Sequence, residues 1–188
     1  MPHVQSLARR LDIQLQQYQS LEDGKAFETL PDNSFDVVLF CETLEHITFN
    51  PVALWTEIYR VLAPGGRIVI TTPNYYGAYS RLWDIGRLLG RFGGGIPVEE
   101  ILCINTYGHH WKGYSLREIA LYFKLLSTDF TIMKTEYVED PRPRDPPRST
   151  EEKFRRFAER NDRLFRWGLH VEVELTAKKA GIQIVPNW

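Results

Sequence analysis

The sequence predicts an α/β protein built on a doubly wound, largely parallel sheet. Residues 35–74 follow the order strand, acidic turn, helix, Pro-Gly-Gly turn and strand, which is one βαβ unit. The segments after this unit alternate between helical and strand-like patterns. With 188 residues, 43% of them hydrophobic, the chain is long enough for one domain with a sizeable core. We therefore expect a single α/β domain.

The first half of the chain supplies the parallel part of the predicted sheet. Residues 3–10 have the pattern of a helix end, and residues 13–18 alternate between apolar and polar positions as a strand does. Phe35–Cys41 is the strongest predicted strand, because its continuous apolar run is typical of a parallel strand that is buried on both faces. Asn50-Pro51 begins a helix, Pro64-Gly65-Gly66 ends it, and the next strand covers residues 66–72.

The second half of the chain predicts three helices and two strands. Residues 76–92 have a helical pattern, and Ser115 with Glu118 forms a capping box at the start of the next helix. Residues 130–138 form a late strand and residues 150–166 an amphipathic helix. The final strand, residues 169–177, places four apolar side chains on one face, namely Leu169, Val171, Val173 and Leu175. We expect the last two strands to be antiparallel and to lie at one edge of the sheet.

Charge and composition argue against several function classes. The net charge of −1 gives no general attraction to nucleic acid or to an anionic membrane. No apolar run approaches the roughly 20 residues that span a bilayer, and the amino terminus lacks the apolar core of a signal peptide. Two cysteines, Cys41 and Cys103, do not make a disulfide scaffold. The sequence therefore predicts a protein of the reducing cytoplasm.

Two basic helical segments invite a nucleic-acid or membrane interpretation. Arg81, Arg87 and Arg91 could meet a phosphorylated substrate, and the arginines of the helix over residues 150–166 alternate with aromatic residues. Acidic residues share the second segment, however, namely Glu151, Glu152, Glu159 and Asp162. We therefore expect a solvated helix that packs its aromatic side chains on the sheet, and no nucleic-acid partner.

The turn after the first strong strand contains the densest group of reactive side chains. Glu42, Glu45 and His46 would share one face if this turn is helical. Two carboxylates and an imidazole can bind a divalent metal ion, and His109 or His110 could supply a further ligand. In the simpler interpretation, His46 fixes the turn by bonding to the backbone, and the later histidines line a substrate pocket or cap the following helix.

Two stretches of sequence resemble a known family. The segments LPDNSFDVVLFCETLEHI and EIYRVLAPGGRIVITTPN are similar to the second half of a class I S-adenosylmethionine-dependent methyltransferase, of the ubiquinone-pathway or small-molecule type. The resemblance covers residues 4–138 and implies a Rossmann-like sheet with strand order 3-2-1-4-5-7-6. Residues 13–18, 35–41 and 66–72 would be its third, fourth and fifth strands. No residues match the first two strands or the glycine-rich cofactor loop, so we expect an N-terminally truncated domain with these strands missing.

The resemblance also implies roles for particular residues. Cys41 and Glu42 would contact the cofactor S-adenosylmethionine, and Glu42 could hold its ammonium group. His46 and His110 would be the catalytic residues. The same pattern is similar to small-RNA 3′-terminal 2′-O-methyltransferases, in which the positions of Glu42, Glu45, His46 and His110 would hold a divalent metal ion.

The expected function is methyl transfer to an oxygen or nitrogen of a small-molecule acceptor, with this chain supplying the substrate-side half of the site. Residues 75–115 and 139–167 would be substrate-side insertions. One alternative is a metal-dependent RNA 3′-terminal 2′-O-methyltransferase, and another is a non-catalytic remnant that acts as a binding subunit. Missing strands would leave the edge at Val37–Phe40 unpaired, so an oligomer or a partner chain is expected to cover it.

Overall fold

The computed structural model of the chain describes residues 27–75, 110–139, 146–147, 149–161 and 166–184, with the single positions 6, 9, 10, 85 and 89. Its elements follow the predicted order, namely β1 (Phe35–Cys41), a 3₁₀ turn (Leu44–His46), α1 (Val52–Val61), β2 (Leu62–Pro73), α2 (Leu116–Leu126), β3 (Phe130–Val138), α3 (Thr150–Asn161) and β4 (Gly168–Leu175). The strand predicted at residues 13–18 lies outside the described residues, as does the helix predicted over residues 76–92 except for positions 85 and 89.

The four described strands form one sheet in the order β1-β2-β4-β3. β1 and β2 are parallel, whereas β4 is antiparallel to both of its neighbours. This arrangement confirms the α/β class, and it reproduces the fourth, fifth, seventh and sixth strands of the expected sheet. The late antiparallel pair lies at one edge, as the sequence predicts.

β2 begins earlier than the sequence suggests. The helix α1 ends at Val61, and β2 continues directly from Leu62 through the Pro-Gly-Gly segment. Phe35 is paired with Leu62 but Val37 is paired with Arg67, so the intervening residues of β2 form a bulge. Gly65 supplies the positive φ of +82° that this bulge requires. The predicted turn is therefore an irregularity inside the strand.

The core lies between one face of the sheet and the helices α1 and α2. Trp55 and Ile58 of α1 and Phe123 of α2 are almost completely buried against strand residues such as Ile68 and Val173. The capping box of α2 is confirmed. The Ser115 hydroxyl accepts a hydrogen bond from the Glu118 N–H (3.2 Å), and the Glu118 carboxylate accepts one from the Ser115 N–H (2.9 Å).

The other face of the sheet is apolar on β1 and charged on the later strands. Phe35, Val37 and Leu39 alternate along β1 with 37%, 51% and 68% of their surface exposed. Across β2 and β4 the same face presents Arg67, which lies 3.5 Å from the carboxylate of Glu172. The prediction that β1 is buried on both faces is therefore wrong, because α1 and α2 cover only one face. Among the described strands β2 is the only neighbour of β1.

The helix α3 also differs from its prediction. It begins at Thr150 as expected and is described as far as Asn161, since residues 162–165 lie outside the described residues. Phe154 and Phe157 are 67% and 64% exposed, while Ala158 is buried. The prediction that these two aromatic side chains pack on the sheet is wrong, because the buried face of α3 is the one that carries Ala158.

Asp129 binds the segment that follows β4. It lies at the end of the sheet opposite the carboxyl ends of β1 and β2. Its Oδ2 accepts hydrogen bonds from the Tyr59 hydroxyl (2.6 Å) and from the backbone N–H groups of Lys179 (2.9 Å) and Ala180 (2.8 Å). The Tyr59 hydroxyl accepts a further bond from the Gly181 N–H (3.2 Å). A single buried carboxylate therefore joins α1, the start of β3 and the segment after β4.

We expect the Asp129→Asn variant to lose part of the acid sensitivity of the fold. Burial raises the pKa of the Asp129 carboxyl, but the hydrogen bonds from Tyr59 and from the backbone outweigh this effect and lower the pKa below its usual 3.8. The stabilisation is thus complete above the pKa of the unfolded chain and is lost as the pH falls through the lower folded-state pKa. Urea unfolding between about pH 3 and 7 measures the difference.

The Asp36→Asn variant at an exposed position of β1 is the matched control and should keep the acid dependence of the wild type. If Asp129→Asn also keeps that dependence, the carboxylate does not contribute as described.

Candidate functional site

Both parallel strands end at the same edge of the sheet, where the polar residues of the predicted site follow them. Cys41 ends β1 as an exposed free cysteine, and Glu42 comes directly after it. The Glu42 N–H donates to the Thr71 carbonyl oxygen (2.8 Å), and Glu42 has a φ of +48°. Positive φ values are uncommon for residues other than glycine, so the chain leaves β1 through a strained turn.

The turn after Glu42 is not a regular helix. Only Leu44–His46 are helical, in a single 3₁₀ turn that begins after Thr43. The prediction that Glu42, Glu45 and His46 share one helical face is therefore wrong, because the positive φ of Glu42 sets it apart from the helical turn.

Glu45 is an almost completely buried acidic side chain at this edge. Only 1% of its surface is exposed, and its Oε2 accepts a hydrogen bond from the Thr72 hydroxyl (2.9 Å). Its Oε1 is buried without a hydrogen-bond partner among the described residues and lies 3.9 Å from Nε2 of His46. An unsatisfied buried carboxylate oxygen is costly, so this position favours a bound cation or a hydrogen-bond donor.

His110 reaches the same place through a segment that docks on Glu45. The backbone N–H groups of Trp111 and Lys112 donate to the Glu45 carbonyl oxygen (2.8 and 3.4 Å). The rings of His46 and His110 then meet edge to face with centroids 4.7 Å apart. The segment passes close to Tyr75 at Gly113, where a Cβ atom would lie 2.0 Å from the Tyr75 ring.

The structure thus brings together Glu45, His46 and His110. One ligand atom from each of them lies within 4.8 Å of the other two. Glu42 is not part of this group, and His109 lies outside the described residues. Three of the four predicted metal-binding residues therefore form a compact cluster of one carboxylate and two imidazoles.

Two residues beside this cluster carry no signal in the sequence analysis. Thr72 holds the Glu45 carboxylate, and Tyr114 pairs with Asn74 at the end of β2. Burial raises the pKa of Tyr114 to about 12, and the carboxylates of Glu118 and Glu45 add to the effect. Tyr114 therefore keeps its proton near neutral pH and cannot act there as a base. The alternation of Thr72 and Asn74 on one face of β2 is the pattern that could have indicated this neighbourhood.

An α/β sheet with polar side chains beyond the carboxyl ends of two parallel strands is typical of a Rossmann-like ligand-binding domain. Residues 3–70 match the sequence model of the family described as "Methyltransferase domain". This match covers the first part of the chain, and together with the strand order it makes the chain similar to the class I S-adenosylmethionine-dependent methyltransferases. No curated protein matches the chain.

Solved structures share this fold. The chain resembles a protein in the complex between the Haloferax volcanii Trm112 methyltransferase activator and a methyltransferase, with a TM-score of 0.53, 17% identity and coverage of 89% of this chain and 66% of the other. It also resembles a SAM-dependent methyltransferase from Thermotoga maritima, with a TM-score of 0.50, 14% identity and coverage of 92% and 69%. The chain thus spans just under two thirds of the Haloferax protein. None of the described helices is long and apolar enough to cross a bilayer.

Proposed function

We propose that the chain takes part in methyl transfer from S-adenosylmethionine to an oxygen or nitrogen of a small-molecule acceptor, and that it supplies the acceptor side of the site. The observation that supports this proposal most is the cluster of Glu45, His46 and His110 at the carboxyl edge of the parallel strands. Bases at this edge lie where ligands bind in open α/β sheets.

The cofactor side of the site is only partly represented in the described residues. Glu42 offers a carboxylate beyond β1 that suits an ammonium group, with Cys41 beside it. Residues 1–34 contain a single glycine, Gly24, so a glycine-rich loop before β1 is not encoded in this sequence. When bound, the cofactor supplies an electrophilic methyl group, and Cys41 and Glu42 would hold its amino-acid end.

The residues of the chain would then handle the acceptor and its proton. His46 or His110 accepts the proton that the acceptor loses, because a neutral imidazole carries a ring nitrogen that can accept a proton. The buried carboxylate of Glu45 beside His46 stabilises the positive charge that this proton creates. The contacts of Trp111 and Lys112 with Glu45 keep the two imidazoles at one place.

Titration calorimetry of the full chain with S-adenosylmethionine tests the proposal. We expect binding in the micromolar to millimolar range, and weaker binding by the Glu42→Gln variant because the ammonium group loses its counter-charge. The Glu28→Gln variant at an exposed position is the matched control. If the wild-type chain binds no cofactor, the proposal fails and the non-catalytic binding subunit becomes the better interpretation.

A second candidate function is that of a metal-dependent RNA 3′-terminal 2′-O-methyltransferase. The orphaned Oε1 of Glu45 next to His46 and His110 is the observation that favours it. One carboxylate and two imidazoles fit a divalent transition metal ion such as Zn²⁺, and an ion held there would polarise an acceptor hydroxyl. The net charge of −1 argues against RNA as the acceptor.

Metal binding can be measured without an acceptor. We expect Co²⁺ to produce a visible absorption band in the wild-type protein, and Glu45→Gln and His110→Ala to weaken its binding by roughly tenfold or more. His170→Gln is the matched control, because His170 bonds to Glu172 within the sheet and lies outside the cluster. Equal affinity of the wild type and both cluster variants would exclude this metal site, and methyl transfer that persists with a chelator would exclude a metal-dependent reaction.

We further propose that a second chain covers the exposed face of β1. The exposed Phe35, Val37 and Leu39 support this, since contiguous apolar surface commonly marks an interface. The Haloferax protein is found in complex with an activator, and a partner of that kind is one candidate for this chain. Analytical ultracentrifugation of the wild type and Leu39→Lys tests for self-association, which the substitution should weaken. The cytoplasmic location and the two substrate-side insertions stay predictions.

A further inference from the structure

Asn74 follows β2 at the same edge and carries a buried oxygen without a partner. Only 6% of the residue is exposed. Its Nδ2 donates to the Arg166 carbonyl oxygen (3.1 Å), and its backbone N–H donates to the Trp167 carbonyl oxygen (2.8 Å). Its Oδ1 accepts no hydrogen bond from the part of the chain that the structure describes. A flipped amide would set Oδ1 against the Arg166 carbonyl oxygen, so these contacts fix the orientation of the side chain.

The backbone pairing of this segment does not require an asparagine side chain at position 74. Buried acceptors are nearly always satisfied in folded proteins, because a missing hydrogen bond costs stability. A leucine of similar volume would fill the space without an orphaned Oδ1, although the Arg166 carbonyl oxygen would lose the hydrogen bond from Nδ2. An orphaned acceptor that the rest of the fold holds in place therefore indicates a ligand with a hydrogen-bond donor.

The position of Asn74 connects this acceptor to the candidate site. Thr72, which donates to Glu45, precedes it by two residues and lies on the same side of β2, roughly 7 Å away along the strand. Tyr114 pairs with Asn74 and belongs to the segment that carries His110. Asn74 is thus adjacent to the cluster of Glu45, His46 and His110.

We propose that Oδ1 of Asn74 accepts a hydrogen bond from the methyl acceptor and so selects acceptors that carry a hydroxyl or amino donor besides the atom that is methylated. The inference rests on the proposed function and names the substrate class of that site. Thioethers and N,N-dialkylanilines have no hydrogen-bond donor near neutral pH and therefore fall outside this substrate class. Oδ1 is shielded from solvent. The hydroxyl or amino group of the bound methyl acceptor therefore displaces the groups that now cover Oδ1.

Nuclear magnetic resonance of the full ¹⁵N-labelled chain tests the proposal with two pairs of probes. Catechol is compared with 1,2-dimethoxybenzene, and aniline with N,N-dimethylaniline, each near neutral pH in the presence of S-adenosylhomocysteine. We expect at least one donor probe to bind roughly three- to tenfold tighter than its capped counterpart and to shift the side-chain amide signals of Asn74. The pair that shows the preference distinguishes a hydroxyl donor from an amino donor.

Two variants separate a ligand contact from a structural role. Asn74→Leu removes the acceptor oxygen and should lose the preference for donor probes. Ser127→Ala removes a buried hydrogen bond to the Asp129 N–H at the opposite end of the sheet and should leave the preference unchanged. This control shows that a general loss of stability does not mimic the effect.

The proposal would be overturned if the wild type bound donor and capped probes equally, or if neither donor probe bound. It would also be overturned if the side-chain amide signals of Asn74 did not shift, or if Asn74→Leu kept the preference for donor probes. Failure of S-adenosylmethionine to bind would instead overturn the proposed function. A second titration of the same probes without cofactor measures the donor preference at Asn74 by itself. Failure of the Asn74 proposal can therefore be distinguished from failure of the proposed function.

Discussion

The Trp55→Ala variant is expected to lose about 3–5 kcal/mol of unfolding free energy, the largest effect of any single truncation considered for this fold. Trp55 is fully buried, and its ring contacts Phe40, Tyr122 and Phe123 with centroid distances of 5.3, 5.9 and 5.2 Å. Alanine would leave a cavity between β1, α1 and α2, which cannot close because strand pairing holds β1 in place.

Part of this loss comes from the indole N–H. It donates to the Tyr122 hydroxyl (2.7 Å), so Tyr122→Phe should cost about 1–3 kcal/mol by leaving that donor unsatisfied. Urea unfolding measures both variants, and Leu125→Ala at a position 54% exposed on α2 should stay within about 0.5 kcal/mol of the wild type. A loss below about 1 kcal/mol for Trp55→Ala would show that Trp55 is not central to the core.

The His46→Ala variant is expected to reduce the rate of methyl transfer by about 10²–10⁴-fold and to leave the affinity for S-adenosylmethionine unchanged. His46 lies against His110 and beside the buried Glu45 carboxylate, so its imidazole is the best-placed proton acceptor among the described residues. Formation of S-adenosylhomocysteine with an acceptor that carries a hydroxyl or amino group gives the rate.

Added imidazole provides the decisive readout for this variant. If His46 transfers a proton, free imidazole should restore part of the rate of His46→Ala, and the pH dependence should follow the added base. His170→Ala is the control because His170 bonds to Glu172 within the sheet and is not a member of the cluster. A variant with the wild-type rate, or one that imidazole does not rescue, would contradict the role in proton transfer.

Local sequence signals predicted the elements of the described fold well. The apolar run of β1, the alternation of β4 and the capping box of α2 all depend on neighbouring residues, and each is present at the expected place. The start of β2 was mispredicted because its bulge depends on the register with β1, which no local pattern encodes. The exposure of Phe154 and Phe157 likewise depends on how α3 meets the rest of the chain.

The candidate site was predictable only in part. The sequence analysis named Glu45, His46 and His110 because carboxylate and imidazole are reactive groups with recognisable spacing, and the structure places them together. Glu42 is set apart by a positive φ that the sequence does not reveal. Thr72 is important because its hydroxyl donates to Glu45, and Asn74 because its Oδ1 has no donor among the described residues. Both observations depend on the folded structure and cannot be read from the sequence.

The placement of β4 has a consequence for how the chain acquires its structure. β4 is the last strand in the sequence, yet it lies between β2 and β3 and pairs with both of them. Among the described strands, β3 has no other neighbour, so the sheet beyond β2 cannot form while the chain is still being synthesised up to residue 168. These pairings join distant parts of the sequence, and such contacts are slow to form. Folding of this half of the sheet should therefore wait until β4 has been synthesised, and loss of β4 would remove the centre of the described sheet rather than its margin.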